Sequence, residues 1–573
     1  MSDTSGIVPF VFPLKGGLVL NKSTFSIDPG VALELENFEP DNGGGYRRIN
    51  GYKRWSGKVP HTVDEEIEPI LMSAFFKGEI LAARGDSVYK SKGSETELKT
   101  SLAEYGTTMY VLSTEGFPNS GTLELTKDGV TERIGYTSKG TDVFRNLVRG
   151  VDGTTPNYYY WSTPVSETWS RIESSRTNAN KYSFERGSLA GQEKIIYCDG
   201  SNPASIYDGV TVKQITGQNA PDDPQYISIF KNAAFYAGMS VNPQEIVYTS
   251  PVSFDDFDVA KGAGSFVVDE AITGMIVFRE SLFIFSANRI YKLEGSSAAD
   301  YRLEPVTREI GCRNGWTIRE FAGDVVFLGP DGLRTIAGTE KIGDVELGSI
   351  SKQIQQLFQD KTDVVYFDSL VIPNKTQYRI FFSKEGTTRK ATTGVICTRK
   401  EESYEFSTTL GIKPSCCDSD VYKGKYYIMF GGFDGIVYQM EDGITFDGEP
   451  IIGRYRSPDI TAGDPGLRKA FQRVIINYAP EGELQTDLFL RYDYESADTP
   501  RPAAYPFDST KVVALYGSSI YGIATYGGQT DPLIRQSVEG SGFSVALRVI
   551  DSGIGTPYSL KGFQLEFTPA ARR

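Results

Sequence analysis

The feature that most restricts this chain is a hairpin pattern that returns at near-constant spacing: an aromatic or aliphatic residue, a polar turn, an apolar strand, then a further strand often ending in tyrosine. Its clearest copies are Phe76-Lys-Gly with Val88-Tyr89, Phe230-Lys-Asn with Val247-Tyr248, Phe278-Arg-Glu with Ile290-Tyr291, and Tyr422-Lys-Gly with Val437-Tyr438. Weaker copies start at Phe184, Phe321 and Ile372, and from Phe184 to Tyr422 the anchors stand 43 to 51 residues apart. A unit of that length with several short strands buries its faces only against its neighbours, which is how propeller blades are built. Six or seven blades are expected. Asp-Gly pairs at Asp199, Asp208, Asp331, Asp434, Asp442 and Asp447 add the positive φ that tight hairpins need.

The interval from Phe76 to Phe184 is too long by about 65 residues, so something is inserted there. Between about 102 and 169 runs a self-contained β pattern: Gly121-Thr-Leu-Glu-Leu, Glu132-Arg-Ile-Gly-Tyr136, and Leu147-Val-Arg-Gly-Val-Asp-Gly-Thr-Thr155. Beyond Pro450 the repeat stops and longer alternating runs appear, at Phe471 to Tyr478, Leu488 to Tyr494, Phe543 to Ile550 and Leu560 to Phe567, as in a β-sandwich. The expected fold is mainly β. It comprises an extended N-terminal docking segment (1–70), a β-propeller (71–445) with a small inserted β module (about 102–169), and a C-terminal β-sandwich-like domain (446–573). One short helix is expected over Gly348 to Asp360, with Ile350, Ile354, Leu357 and Phe358 on one face. The Tyr-Gly steps at Tyr516, Tyr521 and Tyr526 read as a surface loop.

The chemistry of catalysis is thin in this sequence. Its single histidine, His61, sits in a polar segment and reads as an exposed loop residue, which removes most triads and histidine-built metal sites. No phosphate-binding loop, nucleophile elbow or calcium-binding loop is written in it. The five cysteines, Cys198, Cys312, Cys397, Cys416 and Cys417, are odd in number and read as packed, reduced thiols. Propeller glycosidases use paired carboxylates, so the run Phe254-Asp-Asp-Phe-Asp258, with Asp363 and Asp368, has to be weighed; loop and cap roles fit these residues better. No enzyme, metal or cofactor is expected.

A net charge of −14 disfavours a surface that grips phosphate and is compatible with DNA passing close by a wall that does not hold it; charge alone does not separate the two readings. No apolar run reaches the roughly 20 residues of a membrane-crossing helix, and the start lacks a basic leader. Two basic spots stand against this acidic background. Arg47, Arg48, Lys53 and Arg54 alternate with aromatics, and Arg454, Arg456, Arg468 and Lys469 surround the entry to the last domain. They are candidate assembly or partner contacts; the plainer alternative for the first spot is a strand whose arginine stems cover apolar surface.

The opening Pro13-Leu-Lys-Gly-Gly-Leu-Val-Leu-Asn-Lys22, then Ile27-Asp-Pro-Gly-Val-Ala-Leu-Glu-Leu-Glu-Asn-Phe-Glu-Pro40 and Gly43-Gly-Gly-Tyr-Arg-Arg-Ile-Asn-Gly-Tyr52, resembles the start of podovirus tail proteins. The likeness is to the tail nozzle, or tail tubular protein B, family, with packaged-DNA stabilisation and tail-hub proteins close behind. The Leu147 to Thr155 signature resembles a small β unit of phage virion proteins. The resemblance implies a structural subunit of the virion tail, assembled in the host cytoplasm. It implies a homo-oligomer, a hexamer, around a channel that holds and then conducts double-stranded DNA. Its partners would be adaptor or gatekeeper tail proteins, tail fibres and the host envelope at the distal tip. The alternatives are another tail part, such as a hub or host-binding adhesin, or a propeller enzyme acting on polysaccharide through residues such as Asp255 and Asp256.

Overall fold

The computed structural model describes residues 6–572 except 23–26, 62–67, 190, 338–348, 359–364, 384–392, 402, 482–483, 496–500, 510–532 and 552–554. The Tyr-Gly steps at 516 to 527 lie outside the described residues.

Seven antiparallel sheets follow one another along the chain and form the blades of a β-propeller. Blade 1 runs from Met72–Phe76 through Glu79–Arg84 and Ser87–Ser91, and takes its outermost strand, Ser170–Glu173, from beyond the insertion. Blade 2 starts with Ser183–Leu189, blade 3 with Tyr226–Phe230, blade 4 with Ile272–Phe278, blade 5 with Arg319–Phe321, blade 6 with Val365–Ile372 and blade 7 with Pro414–Tyr422. These first strands are the inner ones.

The repeat seen in the sequence is the turn between the first two strands of a blade. Lys77-Gly78, Lys231-Asn232, Ala322-Gly323 and Lys423-Gly424 all have positive φ at both positions. That is the two-residue turn whose twist matches the paired strands. In blade 2 the equivalent turn follows Leu189, so Phe184 lies within the inner strand rather than at its end.

Seven apolar cores, one between each pair of neighbours, close the ring. Leu81 and Val88 of blade 1 pack with Tyr197 and Tyr207 of blade 2, and Ile196 of blade 2 with Tyr236 of blade 3. Phe235 of blade 3 meets Ile284 of blade 4, and Phe285 of blade 4 meets Phe327 of blade 5. Leu328 of blade 5 shares a core with Ile380 of blade 6, Ile396 of blade 6 with Phe430 of blade 7, and Met429 of blade 7 with Ile80 of blade 1. Blade 7 has only three strands of its own, and Tyr52–Arg54 from the N-terminal segment supplies the fourth. That strand covers the edge that Val437–Met440 would otherwise leave open.

The C-terminal β domain is built from both ends of the chain. Val8–Pro13 and Tyr46–Arg48 pair with Tyr558–Arg572, which pairs in turn with Leu467–Pro480. Glu34–Glu36 joins Gly453–Arg456 to the outer strand of blade 6, so one nine-stranded sheet runs from the propeller into the last domain. The expected helix is a kinked 3₁₀ segment, Lys352–Leu357, in which the buried Ile354 departs from helical backbone angles and Phe358 packs near Phe382.

The insertion starts earlier than expected, with Glu95–Glu97, and forms a closed barrel. Segment 95–102 pairs with 159–166 and with 110–112; 108–112 pairs with 143–145; 138–148 folds back on 135–139; 130–136 pairs with 121–127; and 121–127 returns to 164–167. Two isolated bridges, Leu98 to Val111 and Gly135 to Val148, join its three-stranded and four-stranded sheets into the closed ring. Its core is its own, built from Leu98, Met109, Leu123, Ile134, Phe144 and Tyr159 among others.

Candidate functional site

The inner strands bring charged residues from distant parts of the chain to the propeller axis. They surround a cavity of about 350 Å³ whose wall includes Glu185 and Tyr226 from blades 2 and 3, Met275 from blade 4, Arg319 from blade 5, Asp368 from blade 6 and Asp418 from blade 7. Asp368 is buried and takes Lys181 at 2.8 Å and Arg319 at 2.9 Å. Its Oδ2 also accepts the backbone N–H of Cys417 at 2.7 Å. Asp418 accepts the N–H of Phe75 at 2.8 Å and pairs with Arg186, which donates to the Phe75 carbonyl at 2.7 Å and pairs with Asp420 at 3.2 Å. The Lys181 ammonium stands 4.6 Å above the Trp316 ring.

Each of these bonds crosses from one blade, or the link before it, to another, so the network ties the hub of the ring together. Charge-assisted bonds of this kind satisfy groups that burial would otherwise penalise. Glu185 differs. Burial pushes its carboxyl up to about 7, against the pull of Arg186 and Arg319, with Asp418 adding to the rise. The cavity thus holds one acid that titrates near neutrality among cations already engaged by other carboxylates. That arrangement locks blades and can exchange a proton.

The basic residues singled out in the sequence are dispersed among intrachain partners. Arg47 pairs with Glu39 at 3.2 Å and Glu481 at 2.6 Å, Lys53 with Asp442 at 2.9 Å, and Arg54 with Asp447 at 2.7 Å. Arg454 pairs with Glu36, and Arg456 with Glu495 at 3.0 Å. Arg468 donates to Ser541 Oγ at 3.2 Å and lies over the Phe543 ring. Two of the eight are not surface residues at all, which corrects their reading as contacts with another chain. Arg48 is fully buried against Asp551, and Lys469 is buried with its ammonium on the carbonyls of Asp464 and Leu467. Both sit on strands that the sandwich covers.

His61 is tucked in rather than exposed, paired with Glu68 beside Gly85. The acidic run 254–258 is a blade-3 loop: Asp255 pairs with Lys213, Asp256 with Lys261, and Asp258 caps a 3₁₀ turn by accepting from the N–H of Ala260. Asp363 lies outside the described residues. All five cysteines are buried and unpaired. Among the described residues no group of three or more His, Cys, Asp or Glu is placed to hold a metal ion, and no helix is long and apolar enough to cross a membrane.

What sequence reading missed is the axial network. Its local signal is a charged residue next to an apolar one on an inner strand, as in Phe184-Glu-Arg and Cys416-Cys-Asp.

No family model matches this chain, and no curated protein does. Solved structures with some likeness include Hsv2 of Kluyveromyces lactis, at 11% identity over 60% of this chain and 98% of that one, with a TM-score of 0.27. PorZ, a surface component of the type-IX secretion system of Porphyromonas gingivalis, matches at 9% identity over 70% of this chain and 68% of that one, with a TM-score of 0.31. An ancestral GH74 enzyme matches at 8% identity, 69% and 53% coverage, and a TM-score of 0.27. These scores carry no argument about function, and the propeller stands on its own strand order and interblade cores.

Proposed function

We propose that this chain is a structural subunit of a short-tailed bacteriophage tail, of the nozzle type, working as a ring of copies around the DNA channel. In that role it retains the genome and conducts it during ejection, in contact with adaptor or gatekeeper proteins, tail fibres and finally the host envelope. The observation that carries the reading is the N-terminal segment. The residues that resemble podovirus tail proteins are those that thread between propeller and sandwich. Gly45, at φ 82°, lies so close to the Leu560 carbonyl that a Cβ would collide with it, and Gly51 stands equally close to the carbonyl of Thr445. The motif is therefore a packing requirement of this architecture, in which the segment closes blade 7 and completes both sandwich sheets.

A second support is that the hub charges bridge blades. Rigid blades joined at the hub suit a part that bears load and joins copies of itself by cyclic symmetry. Electron microscopy of the purified full-length protein is the test. Six-fold rings with a central hole are expected. A monomer at micromolar concentration that depolymerises polysaccharide would replace this reading with an enzymatic one.

A further inference from the structure

The inner strand of blade 2 turns its side chains alternately toward its two neighbours. Arg186 donates to the Phe75 carbonyl of blade 1, whereas a Cβ on Gly187 would collide with Ile229 of blade 3. Glu185 has the parity of Gly187 in an unbroken ladder with Gln192–Cys198, so it turns toward blade 3. It meets no cation there. Tyr226–Phe230 of blade 3 and Ile272–Phe278 of blade 4 carry no charged side chain. Tyr226, Ile227, Ser228, Met275, Ile276 and Val277 line that part of the axial cavity.

The cations of the hub are engaged elsewhere. Lys181 pairs with Asp368, and Arg319 directs its three guanidinium nitrogens to Asp368 and to the carbonyls of Ile318 and Ser369. Arg186 is held by Asp418, Asp420 and the Phe75 carbonyl. Arg186, Arg319 and Asp418 act on the Glu185 carboxyl through space, and among the described residues none donates a hydrogen bond to it. Three cations thus face four carboxylates, Asp368, Asp418, Asp420 and Glu185, and the exposed Glu320 lines the cavity as well. With Glu185 ionised these groups carry net negative charge. A carboxylate so enclosed is satisfied either by a proton or by a positive guest.

We propose that the axial cavity binds a small aliphatic amine, whose ammonium group pairs with Glu185 and whose chain lies among the apolar residues of blades 3 and 4. The inference is independent of the tail reading. The chemistry of the wall selects this class of guest. An anion would meet a negative hub, and a neutral sugar would leave the Glu185 charge uncompensated. A hard metal ion needs several oxygen ligands, and among the described residues no group of three or more His, Cys, Asp or Glu is placed to supply them. The cavity, about 350 Å³, also exceeds the needs of a single ion, since a water molecule occupies about 30 Å³. Its aromatic wall accepts ammonium groups: that of Lys181 stands 4.6 Å from the Trp316 ring centre, and the Tyr226 ring lies 5.9 Å from Trp316. Pairing displaces the proton that Glu185 holds below about pH 7, while the amine, like lysine, stays protonated to about pH 10.

Isothermal titration calorimetry of the full-length wild type with n-butylammonium chloride tests this, with 1-butanol and sodium butyrate as probes of the same chain length that lack the positive charge. One butylammonium per chain is expected, with a Kd below about 1 mM at pH 8. At pH 6 binding should be about tenfold weaker, because the ionised share of Glu185 falls by that factor. Titration at pH 7 in two buffers of different ionisation enthalpy should show about half a proton released per amine bound. Glu185→Gln, its fold checked by circular dichroism, should bind at least about tenfold more weakly at pH 8 and release no proton. Butanol or butyrate binding as tightly as butylammonium overturns the proposal, as does undiminished binding by Glu185→Gln or a wild-type Kd above about 10 mM. Proton release is read on the wild type, so a variant that fails to fold leaves a decisive measurement: binding at pH 7 without release means that the ammonium does not sit on Glu185.

Discussion

Arg48 and Asp551 stand 503 residues apart in the chain and meet at 2.7 Å, with 0% and 3% of their side chains exposed. The pair joins the N-terminal segment to an inner strand of the last domain. Removing one member leaves the other charged in a dry interior, where the penalty exceeds what the pair contributes on balance. Arg48→Met is expected to lower the stability of the C-terminal domain by about 3–5 kcal/mol. Arg48→Met with Asp551→Leu should recover much of that loss. Urea unfolding followed by tryptophan and tyrosine fluorescence measures both; equal loss in single and double variants would mean that the pair carries no special penalty.

Glu185 sets a pH dependence with a definite sign. Its carboxyl is raised from 4.5 to about 7 in the folded chain, so the folded state holds a proton that the unfolded state has released. The stability it contributes is fully present below about pH 4.5 and is lost as pH rises through about 7. Between pH 5 and 8 the loss amounts to about 1–2 kcal/mol, after allowance for the partly open cavity. Glu185→Gln removes this slope and should be the more stable protein at pH 8. The difference in melting temperature between the two chains across that range isolates Glu185 from Asp41 and Glu441, whose lowered carboxyls act in the opposite direction.

Arg149 explains the Leu-Val-Arg-Gly-Val-Asp-Gly signature. Its guanidinium holds the fully buried Glu132 through two bonds of 2.7 and 2.8 Å, and Glu132 also accepts the N–H of Asn157 at 2.9 Å. Lysine cannot reproduce the two-pronged contact. Arg149→Lys is expected to loosen the barrel by about 2–4 kcal/mol while sparing the propeller, because the barrel has its own core. Limited proteolysis should then cut between residues 95 and 167 at least about tenfold faster, as a 1.4 kcal/mol change in local opening already brings that much. Cuts spread evenly along the chain would show instead that barrel and propeller open together.

The parts of this protein legible in its sequence are those decided by near neighbours. Lys77-Gly78 and Lys423-Gly424 announce their hairpins because the positive φ of a two-residue turn is a property of those two residues. Repeated along the chain, such turns are enough to expect a propeller, and a broken interval is enough to expect an insertion. Tertiary structure decided the rest. Nothing around Tyr52 announces that it completes a blade with Met440, and nothing around Arg186 points to Asp418, 232 residues away. Arg48 and Lys469 look like surface cations in the sequence because lysine and arginine are almost always exposed, and only the covering strands make them interior. Local backbone preference acts over a few residues and survives in the order of letters. Burial and charge pairing depend on which distant strands the fold lays together.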